Sequence, residues 1–184
     1  MTNVSVYIAA SVDGFIARED GALDWLPGAD GSGGDGEDYG YAEFVSCIDY
    51  LVMGRNSFEK VLSFGDWPYD IPVIVLSSRP IEIPKDLQSR VESMHAVTPQ
   101  QVLEQLSARG AEHLYIDGGA TIQRFLRAGL IDRLIVTCVP ILLGQGIPLY
   151  GELTTDIHLK HIGSRSYPSG LVQYEYEVLR RDVE

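Results

Sequence analysis

The sequence predicts a three-layer α-β-α domain on a mixed, mostly parallel sheet with an antiparallel C-terminal end. Three observations predict it. Several strand candidates are unbroken apolar runs, such as VIVL (73–76) and LIVTCV (134–139), as in strands buried on both faces. Helical segments alternate with the early strands, which is how parallel strands are connected. The last candidate differs: Val172, Tyr174, Tyr176 and Val178 alternate with Gln173, Glu175 and Glu177. That period of two leaves one face wet, as near an antiparallel edge.

In chain order, the strand candidates are Val4–Ala10, Tyr50–Met53, Val73–Leu76, His113–Ile116, Arg133–Val139, Ile157–Ser164 and Val172–Leu179. Short helices are predicted at Tyr41–Cys47 and Ser57–Leu62. Thr98-Pro99-Gln100-Gln101 reads as N-cap, proline at N1 and capping-box glutamine, opening a helix that Gly110 ends. Another runs from Thr121 to Ala128, burying Ile122, Phe125 and Leu126 before Gly129.

A chain of 184 residues, 45% hydrophobic and 22% charged, suits one domain spanning residues 1–184. No apolar run approaches the ~20 residues of a membrane span. The opening MTNVSVYIAA has no basic leader region, so a cytoplasmic location is expected. A net charge of −12 excludes broad binding to nucleic acid or anionic lipid, and any anionic ligand needs a few local donors. Cys47 and Cys138 read as reduced core thiols rather than a disulfide or zinc site. His95, His113, His158 and His161 show no ligand spacing, so no metal is expected. The H-x-E and P-C-x-x-C pattern of zinc deaminases is absent.

Between Trp25 and Tyr41 lies a Gly- and Asp-rich stretch with a GxGxxG match at Gly31, Gly33 and Gly36. No strand feeds it and no helix opens after it, so it is not a dinucleotide fingerprint. It follows directly on the first strand, and the 18–40 loop is expected to act as a lid that excludes water, with Gly28–Gly40 mobile in the absence of ligand.

Three strand ends carry residues suited to an anionic ligand. Gly54-Arg55-Asn56-Ser57 joins a strand to a helix, offering backbone N–H groups and a guanidinium. Leu76-Ser77-Ser78-Arg79 ends a buried strand in two hydroxyls and an arginine. Asp117-Gly118-Gly119-Ala120-Thr121 places paired glycines before a helix, where backbone presses close to a ligand. Each alone would suit an ordinary strand end. Together they mark the carboxyl edge of a sheet, where open α/β folds bind ligands.

The ordered set Ala9-Ala10-Ser11-Val12-Asp13-Gly14-Phe15-Ile16-Ala17, Trp25-Leu26-Pro27, MGRNS, LSSR, IDGGAT and VPILLGQGIPLY (139–150) resembles the dihydrofolate-reductase-like superfamily. The last segment is similar to its branch containing the C-terminal reductase domain of riboflavin biosynthesis. The resemblance implies NADPH as cofactor and hydride transfer to a small pyrimidinone- or pterin-like substrate. It implies that the Gly54–Ser57 turn receives pyrophosphate and that Leu76, Ser77, Ser78 and Arg79 cradle the 2′-phosphate. Gly118, Gly119, Ala120, Thr121 and Ile122 would form the second phosphate turn, with a cis Gly118–Gly119 bond. Ala10 and Ile16 would lie beside the nicotinamide.

For the proton, the candidates are Asp24, Asp30 and Glu43; Asp30 stands one place out of register with the carboxylate of dihydrofolate reductases. That departure leaves a non-catalytic NADPH-binding module as the alternative. A purely structural, oligomer-forming domain is a third reading. Val139–Tyr150, which holds the apolar PILLGQGIPLY run, is with the closing strands the expected interface of a homodimer.

Overall fold

The computed structural model describes residues 2–27 and 36–180. Its elements are β1 (Asn3–Ser11), β2 (Phe15–Ala17), α1 (Tyr41–Val45), β3 (Tyr50–Gly54), α2 (Arg55–Leu62), β4 (Val73–Ser77) and β5 (Val91–His95). They continue through α3 (Pro99–Ala108), β6 (His113–Asp117), α4 (Gly119–Arg127), β7 (Arg133–Val139), β8 (Ile147–Pro148), β9 (Leu159–Ser166) and β10 (Val172–Val178). Eight strands form one sheet in the order β5-β4-β3-β6-β1-β7-β10-β9, and β2 pairs with β8 in a separate ribbon. All pairings from β5 to β7 are parallel; β10 is antiparallel to both β7 and β9.

The apolar runs do what their composition requires. On one face, Val52, Ile74, Leu114 and Ile116 meet Val102 and Leu106 of α3 and Ile122 and Phe125 of α4. On the other, Leu51, Met53, Val73 and Val75 meet Phe44 of α1 and Phe58 of α2. Helices on both faces complete the three layers. The start of α3 is as predicted: Thr98 Oγ1 accepts from Gln101 N–H at 3.2 Å, and Gln101 Oε1 accepts from Thr98 N–H at 2.9 Å.

The differences from expectation have physical reasons. β5 was not foreseen because VESMH buries only Val91 and Met94, three apart, and shows neither an apolar run nor alternation. β2 and β8 are too short to carry a period. β9 lies two residues later than predicted; seven of its eight residues are exposed, so burial does not set its register, and a bulge interrupts its pairing at Glu175/Tyr176. α4 begins at Gly119 rather than Thr121, because Gly118 turns the chain at φ 85° directly after the strand.

Candidate functional site

Two strand-to-helix turns meet at the carboxyl edge of the sheet. β3 runs into α2 through Gly54, and β6 runs into α4 through Gly118; neither helix start has a side-chain cap. Their first N–H groups are therefore left to solvent or a ligand. The turns face each other closely: a Cβ on Gly54 would lie 2.9 Å from Thr121 Oγ1, and one on Gly118 would collide with Ser57 Oγ. Gly119 is crowded from the other side by Pro148 O (2.9 Å) and Ile16 Cδ1 (3.1 Å), measured to its would-be Cβ. Ile16 thus sits against the second turn through the β2–β8 ribbon. The Gly118–Gly119 bond is trans, contrary to the resemblance; no cis bond occurs among the described residues. Glycine's freedom at positive φ makes the sharp turn instead.

The ribbon is held in place by Asp13. Its carboxylate accepts from Ser11 Oγ (2.6 Å), Leu143 N–H (3.1 Å) and Gly144 N–H (2.7 Å). The Ser11 hydroxyl, with those amides, holds the acid below the usual carboxylate range. Ala10, at the end of β1, is buried beside this clamp.

At the end of β4, Leu76 is buried, Ser77 half-buried, and Ser78 and Arg79 exposed. Ser77 pairs with His95 of β5, whose successor Ala96 takes φ 51° and donates its N–H to Ser77 O at 3.2 Å. Arg55 approaches Glu59 at 3.8 Å, whereas Arg79 has no ion pair among the described residues. Asn56 and Ala120 lie on the exposed rims of the two turns, and Ile122 supports the second from within the core.

The three predicted acids are dispersed. Asp24 is exposed and forked to Arg18 at 2.6 and 2.8 Å; the arginine's hydrogen bond holds it below the usual range. Asp30 lies outside the described residues, as does 28–35, the centre of the predicted lid. Glu43 is exposed on α1, lining a groove of about 440 Å³ with Tyr7, Phe44, Arg133 and Gln173. That groove lies over β7, β9 and β10, apart from the glycine turns. The flank of the lid is tied down: Tyr39 packs edge-on to Tyr167 at 4.7 Å, and its carbonyl accepts from Tyr7 Oη (2.8 Å) and Gln173 Nε2 (3.1 Å).

Sequence reasoning missed one acid. Asp117 ends β6 immediately before the paired glycines and is half-buried. Burial pushes its carboxyl up to about 6, with the Gly118 N–H partly opposing. Tyr41, Tyr69 and Tyr115 are its electrostatic neighbours; burial raises Tyr41 to about 12 and also raises Tyr69 and Tyr115. The available signal was a carboxylate terminating an otherwise apolar buried strand at a ligand-facing turn.

The ordered turns and the sheet agree with a family profile, that of the RibD C-terminal domain, which matches residues 2–173. The chain belongs to the RibD C-terminal domain family. Among its relatives, the uncharacterized protein YwjB of Bacillus subtilis is 33% identical over 175 residues, covering 93% of this chain and 95% of YwjB. Riboflavin biosynthesis protein RibD of Corynebacterium ammoniagenes is 26% identical over 166 residues, 84% of this chain but 48% of RibD. The crystal structure of a 'putative riboflavin biosynthesis protein' from Shewanella sp. PV-4 superposes with TM-score 0.88 at 41% identity, covering 98% of this chain and 100% of that one. The Thermotoga maritima diaminohydroxyphosphoribosylaminopyrimidine deaminase/5-amino-6-(5-phosphoribosylamino)uracil reductase shares the fold at TM-score 0.74 and 13% identity, over 97% of this chain and 57% of that one.

Proposed function

We propose that this RibD C-terminal domain is an NADPH-dependent reductase acting on a small heteroaromatic or imine-bearing ring, pyrimidinone- or pterin-like. The observation that carries this reading is the pair of uncapped helix starts that glycines let pack against each other at the carboxyl edge of the sheet, with their first N–H groups unclaimed by any side-chain cap. A diphosphate fits that cradle: it accepts from free N–H groups and needs no side-chain volume. Gly54–Ser57 and Gly118–Thr121 would hold it, Ser77, Ser78 and Arg79 the 2′-phosphate, and Ala10 and Ile16 the nicotinamide. When bound, NADPH supplies the hydride.

Asp117 is the proton source in this reading because it ends β6 directly before the Gly118–Gly119 turn; burial raises its carboxyl to about 6, so it keeps a proton at pH values where an exposed aspartate has lost it. The rate of reduction falls as pH rises through that value. Stopped-flow NADPH oxidation against a panel of dihydropterin and pyrimidinone substrates, from pH 5 to 8, tests this. Turnover that is lost in Asp117→Asn supports it. Saturable NADPH binding with no turnover on any substrate supports the binding-module alternative, which the Arg18-locked state of Asp24 favours.

The same reading makes the protein a cytoplasmic homodimer. Tyr150, Leu153, Leu159, Ile162 and Leu179 are exposed near the outer strands, and a second copy would cover them. No helix among the described residues is long and apolar enough to cross a membrane. Light scattering that finds only monomer at micromolar concentration overturns the dimer.

A further inference from the structure

We infer that Asp13 is a positioning residue for the nicotinamide end of the nucleotide site: its carboxylate fixes the β2–β8 ribbon against the Gly118–Gly119 turn, while the 2′-phosphate end stands without it. This rests on the reductase reading and divides its cofactor site into two halves that fail separately.

Three donors converge on one exposed carboxylate. Asp13 Oδ1 accepts from Ser11 Oγ at 2.6 Å and from Leu143 N–H at 3.1 Å, and Oδ2 accepts from Gly144 N–H at 2.7 Å. The Ser11 hydroxyl in turn accepts from Phe15 N–H at 2.9 Å, at the start of β2. Val12 N–H donates to Ile141 O, also at 2.9 Å. Polar contacts thus lace the loop after β1 to the loop after β7. Packing contributes little at their tips, where Val12 is 58% and Leu142 71% exposed. Hydrogen bonds to an ionised acceptor are the stronger kind, so the carboxylate is the centre of this junction.

From the junction the ribbon runs to the second nucleotide turn. Phe15 pairs with Pro148 and Ala17 with Ile147, and Leu149 N–H donates to Gly14 O at 2.9 Å. Pro148 O, Ile16 Cδ1 and Ile147 Cγ2 crowd the place that a Cβ on Gly119 would take, at 2.9, 3.1 and 3.4 Å. Gln123 Nε2 of α4 donates to Pro148 O at 2.9 Å and fastens the ribbon to the helix. The ribbon is therefore a tie with two anchors, Gln123 on α4 and Asp13 on the loops, and Ile16 hangs between them. β4, which carries Ser77 at its end, is separated from β1 by β3 and β6, so the clamp does not bear on it.

Asparagine is the fitting probe. It keeps the size of Asp13 but turns one acceptor oxygen into an NH₂ donor, so either Gly144 N–H or the pair from Ser11 and Leu143 loses its acceptor. The full chain is titrated calorimetrically with NADPH and with adenosine 2′,5′-bisphosphate, which lacks the nicotinamide half. Amide hydrogen exchange is measured on the ligand-free protein. Asp13→Asn is expected to weaken NADPH by about tenfold or more and to leave adenosine 2′,5′-bisphosphate within about twofold. The amides of Phe15 and Leu149, neither of them bonded to Asp13, should exchange faster. Ser11→Ala, which removes the hydroxyl between Asp13 and Phe15, should give the same pattern. Equal weakening of the two ligands overturns the inference, as does unchanged NADPH affinity or unchanged exchange at Phe15 and Leu149. An unaltered chain that binds neither ligand overturns the reductase reading instead; the clamp is then decided by exchange alone, faster supporting it and unchanged overturning it.

Discussion

The parallel half of the sheet and its outer wing follow different rules. In β3 and β4, Leu51, Val52, Met53, Val73 and Val75 are 0% exposed, and each strand is covered from both sides. In β9, Leu159 is 40% and Ile162 49% exposed, and seven of the strand's eight residues are exposed. Every residue singled out for the nucleotide sits on the first half or at its carboxyl edge, except Ile16, which reaches the second turn from the β2–β8 ribbon. The phosphate cradle proposed above, built from backbone, would need turns that do not move, and a strand packed on both faces supplies that rigidity. The wing, by contrast, is free to change sequence without disturbing the turns.

Side-chain truncation should separate the two halves most strongly. Phe125→Ala, at a site wholly inside the core, is expected to cost about 3–5 kcal/mol in a denaturant melt. Ile162→Ala should cost about 0.5 kcal/mol or less in the monomer. Similar losses at both positions would show that the wing is packed in solution.

The glycines give the next contrast. Gly118→Ala brings a methyl group into Ser57 at φ 85°, so a loss of about 2–3 kcal/mol is expected, with weakened NADPH binding. Gly163→Ala, with nothing within 4 Å of the new methyl, should be neutral in both readouts.

Among the arginines, Arg79→Ala should weaken NADPH by roughly 10–150-fold, the worth of about 1.5–3 kcal/mol for a charge-assisted hydrogen bond, and leave NADH unchanged. Arg55→Ala should weaken both cofactors, and Arg165→Ala on the wing neither. Equal losses of the two cofactors in Arg79→Ala would remove the LSSR strand end from 2′-phosphate recognition.

The smallest effect is pH-dependent. Asp117 has a folded value near 6 against 3.8 when unfolded, so folding takes up a proton between them. Its carboxyl favours the fold fully below the unfolded value, and that contribution is lost as pH rises through 6. Asp117→Asn should therefore stabilise the protein by roughly 1–3 kcal/mol at pH 8 relative to its effect at pH 4. A difference between the two chains that does not vary with pH would mean that Asp117 titrates as an ordinary exposed acid.

How much of this was legible depended on burial. VIVL and LIVTCV are unambiguous because a strand covered on both faces admits only apolar residues. VESMH was illegible because at the sheet's margin two buried side chains, Val91 and Met94, suffice. The glycine turns were legible as strand-to-helix junctions, since Gly54 and Gly118 interrupt apolar strands directly before helices; only the three strand ends taken together suggested an anionic ligand. Asp117 was passed over inside the IDGGAT motif, since its raised value comes from burial, which depends on the folded surroundings and not on the motif. Glu43 and Asp24 had the right residue type and neighbours in sequence, but side-chain direction and an Arg18 partner are three-dimensional facts.

The position of β1 in the sheet has a consequence for synthesis. Its two neighbours are β6 and β7, so Ser5 pairs with Tyr115 on one side and Arg133 on the other. At roughly 5–20 residues per second, the first strand leaves the ribosome about 5–20 s before either neighbour exists. For that interval an apolar segment containing Val4, Val6 and Ile8 has both edges open. A nascent chain stalled at Ala111 should accordingly be protease-sensitive at β1 and bound by chaperones, whereas one stalled beyond Val139 should not. The first-made strand is among the last to be enclosed.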